Sequence, residues 1–327
     1  MNIENKIVLV TGANGLVGLP TVKKCIQRNV KTVYAVDIHF SENMKQLASN
    51  HPNQLKLIET DLTYLHNCED LFKLDNINIV LHIAGIKGSP SRTANSPADY
   101  LFPMLMFNTN MIKTAFDANI EWFVYLSSVG VYSSADVMIE DTVWTTTPSK
   151  NDWHPGWSKR MGELALDSLK IQHNWNNWTI LRPSNIYGPN DKFSPDATVI
   201  ASNIWKLFNT DGDLRCWGDG SPRRDFVYSE DVAEATILSV ENEIRDVINF
   251  GCGEAISIKD MIETMVMVYE NLYKIKRNII WDTSKPNGDA LRRLSTEKQS
   301  HYGILPKTSL YDGIKYTIES YAKWRKL

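Results

Sequence analysis

Short apolar runs alternate with helical stretches over the first half of the chain. The helical stretches lie at about residues 17–28 and 101–119. The apolar runs have the length of strands, end in turn residues and read "KIVLVTG", "KTVYAVD", "LKLIETDL", "NIVLHIAG" and "EWFVYLSS". Apolar strands that alternate with helices are typical of a parallel sheet with both faces covered. We therefore predict an α/β fold built on a doubly wound parallel sheet.

The pattern changes in the second half. The segment "WTILRPSNIYGP" predicts a sixth strand followed by a loop, and turn residues then cluster at "WGDGSPRRD" and "TSKPNGDA". We predict a nucleotide-binding domain at 1–185, to which segments at about 225–252 return. A smaller C-terminal substrate-binding lobe takes 186–224 and 253–327. A chain of 327 residues is long enough for both.

The composition and charge of the chain argue against some classes of binding partner. The chain is 43% hydrophobic and 22% charged, with a formal net charge of −3. Because there is no basic excess, we expect neither a nucleic-acid nor a membrane-surface partner. The chain runs almost directly into a strand pattern and has no apolar run of membrane-spanning length, so we expect a cytoplasmic protein. The four cysteines lack paired spacing, and we expect no metal site.

A glycine-rich turn carries the first chemical signal. Gly12, Gly15 and Gly18 follow a strand and open a helix in "TGANGLVG". Such glycines let the backbone approach a pyrophosphate, which then lies at a helix N-terminus. Asp37 follows at the end of the second strand, where a carboxylate can bind both hydroxyls of an adenosine ribose and repel a 2′-phosphate. A structural turn beside a surface aspartate is the alternative.

We therefore predict a Rossmann-type fold that binds NAD in preference to NADP. Ligands lie at the C-terminal ends of the strands in such sheets. The predicted cofactor-binding residues are Gly12, Asn14, Gly15, Leu16, Val17, Gly18, Asp37, Asp61, Leu62, Ala84 and Gly85.

The chain resembles the extended short-chain dehydrogenase/reductase family, whose members modify nucleotide sugars. The matching elements run in family order: "TGANGLVG", "DL" at Asp61, "HIAG", "SSVGVY", the Ser158–Lys159 pair and "LRPSNIYGP". Within the family, the second half is similar to GDP-fucose synthases at "RPSNIYGPNDKFSPDATVI", "WGDGSPRRDFVYSEDVA" and "SKPNGDALRRL". The resemblance implies a substrate lobe that grips a GDP-linked sugar, with Asn185, Arg224 and Arg293 as substrate-binding residues. The alternative is that these arginines are solvated surface charges.

The resemblance also implies a catalytic serine, tyrosine and lysine, in which the lysine activates the tyrosine and the serine orients the sugar hydroxyl. Ser128 matches the serine and Lys159 the lysine, which also binds the nicotinamide ribose. Pro155 stands at the tyrosine position. His154 is one candidate to carry the proton, and the alternative is Lys159, directly or through a water. Asp152 is expected to cap the helix.

Other departures from the family pattern reduce the number of reactions that the chain could catalyse. Gly130 replaces the cysteine and Thr198 the histidine that GDP-fucose synthases use for epimerisation, and Val129 and Gly130 replace the acidic pair of the dehydratases. We predict an NAD-dependent dehydrogenase that oxidises the C4 hydroxyl of a GDP-hexose or GDP-heptose in surface or capsular polysaccharide biosynthesis, similar to GDP-heptose C4 dehydrogenases. A 2-oxo acid is a possible electron acceptor. A C4 epimerase and a non-catalytic binding subunit are the alternatives.

The resemblance implies a homodimer formed by the helices at about 101–119 and 156–169. Apolar residues that could form this interface, or pack inward instead, are Trp157, Met161, Leu164 and Leu166.

Overall fold

A computed structural model describes residues 1–88, 90–285 and 287–325. Within these ranges the strands are β1 (Ile7–Thr11), β2 (Thr32–Asp37), β3 (Leu55–Glu59), β4 (Ile79–His82), β5 (Trp122–Leu126), β6 (Trp178–Pro183), β7 (Asn185–Tyr187), β8 (Leu214–Trp217), β9 (Arg223–Arg224), β10 (Phe226–Tyr228), β11 (Val247–Phe250), β12 (Ile256–Ser257), β13 (Ile279–Asp282) and β14 (Leu291–Arg292). The helices are α1 (Gly18–Gln27), α2 (Glu42–Asn50), α3 (Leu65–Leu71), α4 (Pro90–Asn95), α5 (Ala98–Asp117), α6 (Trp153–His173), α7 (Val199–Asn209), α8 (Ser229–Glu241), α9 (Ile258–Tyr273), α10 (Glu297–His301) and α11 (Leu310–Trp324).

A parallel sheet of seven strands, in the order β11-β6-β5-β4-β1-β2-β3, forms the centre of the described fold. Every pairing in it is parallel. The strand order reverses between β1 and β4, and the crevice at such a point, outside the carboxyl ends of the strands, is where open α/β sheets bind ligands. The predicted α/β fold with a doubly wound, Rossmann-type sheet is confirmed.

Both faces of the sheet are buried. Alternate residues of β1 enter different cores: Val8 and Val10 pack on one face, Ile7 and Leu9 on the other. The first face is covered by α1 and α8 and the second by α3, α5 and α6. Because successive strand side chains point to opposite faces, burying both faces requires the continuous apolar runs seen in the sequence.

A third core lies in the C-terminal part of the chain. Helices α7, α9 and α11 pack against β8 and β10 through residues such as Ile204, Met265 and Ile318. Strand β9 pairs with β12 and β14, which places Arg292 beside Arg224. The domain boundaries given above remain a prediction.

The structure corrects some of the expected elements. The loop expected after the sixth strand contains β7, which pairs in parallel with β10. Its partner lies about 40 residues further along the chain, so the local pattern could not reveal the strand. Helix α5 begins at Ala98, ahead of the predicted start. Helix α6 begins at Trp153 and so includes His154 and Pro155.

No helix in the described ranges combines the length and the apolar character that crossing a bilayer requires.

Candidate active site

The glycine turn between β1 and α1 leaves no room for side chains. Gly12 has a φ of +65°, and a Cβ there would lie 2.8 Å from the Cα of Ala84. A Cβ on Gly18 would lie 2.0 Å from the carbonyl oxygen of Gly12. The backbone can therefore pack this closely only with glycine at both positions. Leu16 and Val17 continue the turn, and Val17 is buried against the core.

Asp37 closes the same turn from the end of β2. Its carboxylate accepts hydrogen bonds from the backbone N–H of Asn14 at 2.9 Å and of Ile38 at 2.8 Å. The Asn14 side chain is engaged by Ser41 at the start of α2. The carboxylate is thus held beside the glycine turn, where the ribose of a dinucleotide would lie.

Three buried polar residues, Thr11, His82 and Asn108, connect β1, β4 and α5 at the point where the strand order reverses. His82 Nδ1 lies 2.8 Å from Thr11 Oγ1, and His82 Nε2 lies 3.0 Å from the side-chain oxygen of Asn108. An amide oxygen only accepts, so Nε2 carries the proton and Nδ1 accepts from Thr11. Burial, aided by nearby Lys159, lowers the pKa of His82 to about 3, so the ring is neutral at physiological pH.

Lys159 reaches from α6 to the carboxyl ends of β4 and β5. Its ammonium donates to the carbonyl oxygens of Leu126 at 2.7 Å and Ala84 at 3.2 Å. The side chain is 6% exposed, and burial lowers its pKa to about 7, although Glu163 acts in the opposite direction. A Cβ on Gly85 would lie 3.8 Å from the ammonium, so Gly85 faces it directly.

Ser128 follows β5 by two residues and is half-buried. Its hydroxyl oxygen accepts a hydrogen bond from the backbone N–H of Gly130 at 3.0 Å, which leaves the hydroxyl proton free to donate. Pro155, four residues before Lys159, lies in the first turn of α6, where its missing N–H costs no helical hydrogen bond. Within the described ranges the ring of half-buried His154 makes no hydrogen bond or ion pair; its backbone carbonyl accepts from Ser158 at 3.0 Å.

Asp152 occupies the N-cap position of α6, but the expected side-chain cap does not form. Its side chain accepts no hydrogen bond from the helix. Its Oδ2 instead lies 2.5 Å from Nη1 of Arg292, which also pairs with Asp289. The long-range pair competes successfully because β14 brings a guanidinium next to the start of the helix, a placement that local sequence cannot reveal.

The three expected substrate-binding residues differ in the hydrogen bonds that their side chains already make. The guanidinium of half-buried Arg224 donates to the Arg223 carbonyl at 2.8 Å, and burial together with Arg292 lowers its pKa to about 10. The backbone carbonyl of Arg293 accepts from Met138 in the neighbouring loop. Asn185 is held locally, since its amide donates to the Asp225 carbonyl at 2.8 Å. The described contacts give the Arg224 guanidinium one hydrogen bond and the Arg293 guanidinium none, so both arginines keep donors for an anionic ligand.

Asp61 and Leu62 lie in the tight turn that follows β3. The Asp61 carboxylate accepts from the backbone N–H and hydroxyl of Thr63 at 2.9 and 2.8 Å, and the side chain remains exposed. Leu62 is buried, and its carbonyl accepts from Asn110 at 3.1 Å. Asp61 therefore lies at the carboxyl edge of the sheet together with Asp37 and Ala84.

Comparison with known proteins decides the family. A sequence profile described as the NAD dependent epimerase/dehydratase family matches residues 8–251. The chain belongs to this family. NAD is accordingly its cofactor, and the glycine turn beside Asp37 offers the close backbone approach that a dinucleotide needs.

The family members that resemble this chain act on nucleotide sugars. It is 27% identical over 328 residues to the GDP-L-fucose synthase of Sinorhizobium fredii, covering 98% of this chain and 96% of that protein. Two solved structures share the fold. A UDP-N-acetylglucosamine 4-epimerase from Methanobrevibacter ruminantium in complex with UDP-N-acetylmuramic acid has a TM-score of 0.84 at 24% identity, with 98% and 99% of the chains covered. A GDP-D-glycero-L-gluco-heptose synthase from Campylobacter jejuni in the presence of NADPH has a TM-score of 0.80 at 20% identity, with 97% and 98% covered.

A buried ion pair between α6 and β6 stabilises the helix that carries Lys159. The sequence patterns did not predict this pair. Glu163 on α6 binds Arg182 on β6 through two hydrogen bonds of 2.9 and 2.6 Å. Arg182 also donates to Tyr132 at 2.9 Å, and Ser127 donates to Glu163. Glu163 lies one turn after Lys159, so the pair anchors the helix that carries the lysine. The only sequence signal was a charged residue at the end of an otherwise apolar strand.

Proposed function

We propose that this chain is an NAD-dependent dehydrogenase that oxidises the C4 hydroxyl of a GDP-hexose or GDP-heptose in surface polysaccharide biosynthesis. The observation that carries the proposal is Lys159: a buried lysine with a pKa of about 7, whose ammonium binds the carbonyl of Leu126, two residues before Ser128 in the chain. An amine with this pKa can accept or donate a proton at physiological pH.

The absence of a phenol fits this chemistry. Pro155 stands four residues before Lys159, at the position where the family resemblance implies a tyrosine, so we assign the proton transfer to Lys159, directly or through a water. Ser128 binds the sugar hydroxyl with its free hydroxyl proton and orients the oxygen towards Lys159. Bound NAD supplies the acceptor for the hydride that leaves the sugar carbon. His154 is the weaker candidate for the base, because no contact in the described ranges orients its ring.

The proposed cofactor contacts follow from the geometry of the turn. The backbone at Gly12, Gly15 and Gly18 receives the pyrophosphate, and Asp37 receives the adenosine ribose. The edge formed by Asp61, Leu62, Ala84 and Gly85 lies beside the rest of the nucleotide. Lys159 also binds the nicotinamide ribose.

The proposal of a GDP-linked sugar as substrate is supported by Arg224 and by the similarity to GDP-L-fucose synthase. A half-buried guanidinium that donates only to a carbonyl within the described ranges retains donors for a diphosphate. The GDP-L-fucose synthase similarity favours guanosine as the base. Gly130 and Thr198 lack the acid/base groups for epimerisation, which favours simple oxidation. We assign Asn185 and Arg293 to the same substrate pocket.

Turnover with a defined panel tests the proposal. The purified protein is denatured and any released nucleotide identified by mass. NAD and GDP-mannose or GDP-heptose are then added, and NADH is followed by its absorbance, with 2-oxoglutarate included in a parallel reaction as the proposed acceptor. We expect sugar-dependent NADH formation and a 4-keto product. Sugar inversion without net NADH would indicate a C4 epimerase, and bound NAD with an unchanged sugar would refute both enzymatic functions.

Two variants locate the base. Lys159→Met should lower kcat by about 10² to 10⁴, the usual contribution of a general acid/base. His154→Asn should retain activity, as should Lys45→Met, a control at an exposed lysine of α2. Loss of activity in His154→Asn, with Lys159→Met active, would reverse the assignment.

We also propose a homodimer formed by α5 and α6. These helices pack on one another and expose Phe102, Met106, Leu164 and Ile171. Leu166, one of the residues considered for the interface, is fully buried in the core of this chain and cannot contribute. Mass measurement in solution should give a dimer that Leu164→Glu converts to a monomer, and an unchanged mass would refute this interface.

A further inference from the structure

We infer that Asp152 is a substrate-binding residue whose carboxylate accepts a hydrogen bond from a hydroxyl of the nucleotide-linked sugar. This inference rests on the proposed function, because it assumes that a nucleotide sugar occupies the site. It goes further because it names a residue that would select the sugar, and this residue lies at the start of α6, whereas Ser128 follows β5.

Gly130 defines where the carboxylate lies. A Cβ built on Gly130 would be 3.4 Å from both Cβ and Cγ of Asp152, and 3.4 Å from Oγ of Ser128. The Asp152 side chain and the Ser128 hydroxyl therefore both border the position that a Cβ of residue 130 would take. A carboxylate and a hydroxyl thus face the same small volume beside the proposed redox centre.

The Asp152 carboxylate is held by an ion pair but keeps capacity to accept hydrogen bonds. Oδ2 is buried beside Nη1 of Arg292 but makes no well-aligned hydrogen bond. The Asp152 side chain is still 27% exposed, which leaves Oδ1 as the oxygen that a ligand can reach. An ionised carboxylate only accepts hydrogen bonds, and sugar hydroxyls are donors.

Asp152 also lies on the path between the two ends of the proposed substrate. Arg292, its ion-pair partner, is the β-sheet neighbour of Arg224, and Asp152 is close enough to Arg224 to affect its electrostatics. In the proposed binding mode, Ser128 lies at the sugar carbon that is oxidised and Arg224 binds the diphosphate. In a nucleotide sugar, the ring with its remaining hydroxyls connects these two points, so a hydrogen-bond acceptor here meets the ring.

The lobe residues fix this arrangement. Asp289 binds Arg292 on one carboxylate oxygen and the amide of Asn151 at 2.6 Å on the other, and Arg292 also donates to Ser149 at 3.1 Å. These bonds join the segment that contains β14 to the residues just before α6. These bonds hold the guanidinium of Arg292 in one position, so the ion-pair partner of Asp152 is already fixed before the sugar binds, which favours selectivity.

Calorimetric titration distinguishes a sugar contact from a structural role. GDP-mannose and GDP, and UDP-glucose and UDP in parallel, are titrated into the wild type, Asp152→Asn and the matched control Asp136→Asn, whose side chain is exposed on the loop after β5. We expect Asp152→Asn to weaken binding of the nucleotide sugar by about 10- to 100-fold, as loss of a hydrogen bond to a charged group would. Binding of the free nucleoside diphosphate should not weaken, because removing a negative charge near Arg224 does not reduce its attraction for an anion. Retained binding also shows that the variant is folded.

Each other outcome is decisive. If Asp152→Asn binds the nucleotide sugar as the wild type does, or loses the free diphosphate equally, the inference is wrong and the proposed function stands. If the wild type binds neither of these nucleotide sugars nor a GDP-heptose, the proposed function fails first and the inference with it. In turnover, the variant should raise KM more than it lowers kcat; a kcat loss as large as that of Lys159→Met would make Asp152 the proton acceptor instead.

Discussion

The Lys159 ammonium lies 2.7 Å from the carbonyl oxygen of Leu126, so a side chain of α6 is bound directly to the carboxyl end of β5. The described contacts offer this ammonium backbone carbonyls and no carboxylate. A cation solvated in this way is poorly compensated for its burial, which is why the pKa falls to about 7.

The first prediction concerns the pH dependence of stability. The pKa of Lys159 is lower in the folded state than the ordinary value of 10.5, so the unfolded chain binds more protons between pH 7 and 10.5. The cost of the buried cation is thus complete below pH 7 and disappears as the pH rises to 10.5. Relative to Lys159→Met, the free energy of unfolding of the wild type should increase over this interval by a few kcal/mol. Urea unfolding at pH 6, 8 and 10 measures it.

The matched control for this titration is Lys45→Met on the exposed face of α2. Its unfolding free energy should follow that of the wild type at every pH. Parallel curves for the wild type and Lys159→Met would show that the folded state does not depress the Lys159 pKa.

The second prediction concerns the pH dependence of turnover. If neutral Lys159 accepts the sugar proton, kcat/KM for oxidation should rise with pH and level off above about 7. The residual activity of Lys159→Met should lack this step. A profile with the same step in both proteins would assign the ionisation to another group, and His154→Asn would then be the variant to examine.

The third prediction concerns the glycine turn. Gly18→Ala should destabilise the protein and weaken NAD binding at least 10-fold, because the new Cβ would overlap the Gly12 carbonyl. Gly212→Ala is the control: it has a φ of +72° with open space around it, so it costs only backbone strain of about 1 kcal/mol. Fluorescence titration with NADH and thermal unfolding check both. Normal NADH affinity in a folded Gly18→Ala protein would contradict the proposed binding mode.

The fourth prediction concerns Asp37. Asp37→Asn retains the size of the side chain but removes the negative charge that repels a 2′-phosphate. The ratio of the dissociation constants for NADP and NAD should fall at least several-fold, and Asp136→Asn should leave it unchanged. An unaltered ratio would show that another group selects the cofactor.

The fifth prediction concerns the buried pair of Glu163 and Arg182, which are 2% and 1% exposed. Arg182→Met should cost about 3–5 kcal/mol of unfolding free energy, because it leaves a buried carboxylate uncompensated. Adding Glu163→Gln should recover part of this loss, since the stranded charge is then gone. Additive losses in the double variant would mean that the two side chains act independently. The exposed pair Lys113–Asp117 is the control, and Lys113→Met should cost less than about 1 kcal/mol.

Much of the nucleotide-binding half followed from the sequence alone. The strands β1, β2 and β4 to β6 are largely apolar runs, as burial on both faces requires at each strand separately, whereas the edge strand β3 keeps Lys56 and Glu59 exposed. The glycine turn and Asp37 could be recognised for the same reason, since backbone conformation and strand-end chemistry depend on residues close together in the chain. The Ser128–Lys159 pair was located by family resemblance, and its partners were not.

The tertiary structure decided what surrounds those residues. The Thr11–His82–Asn108 chain, the Glu163–Arg182 pair and the contact of Asp152 with Arg292 join residues 19 to 140 positions apart. No local pattern records such pairings, because they depend on the order of the strands and on β14 reaching the start of α6. The same packing removes water from around Lys159, and burial in turn sets its pKa. The local patterns were enough for the sheet, the glycine turn and the position of the lysine; the buried environment that lowers the pKa of Lys159 arises only when distant segments pack together.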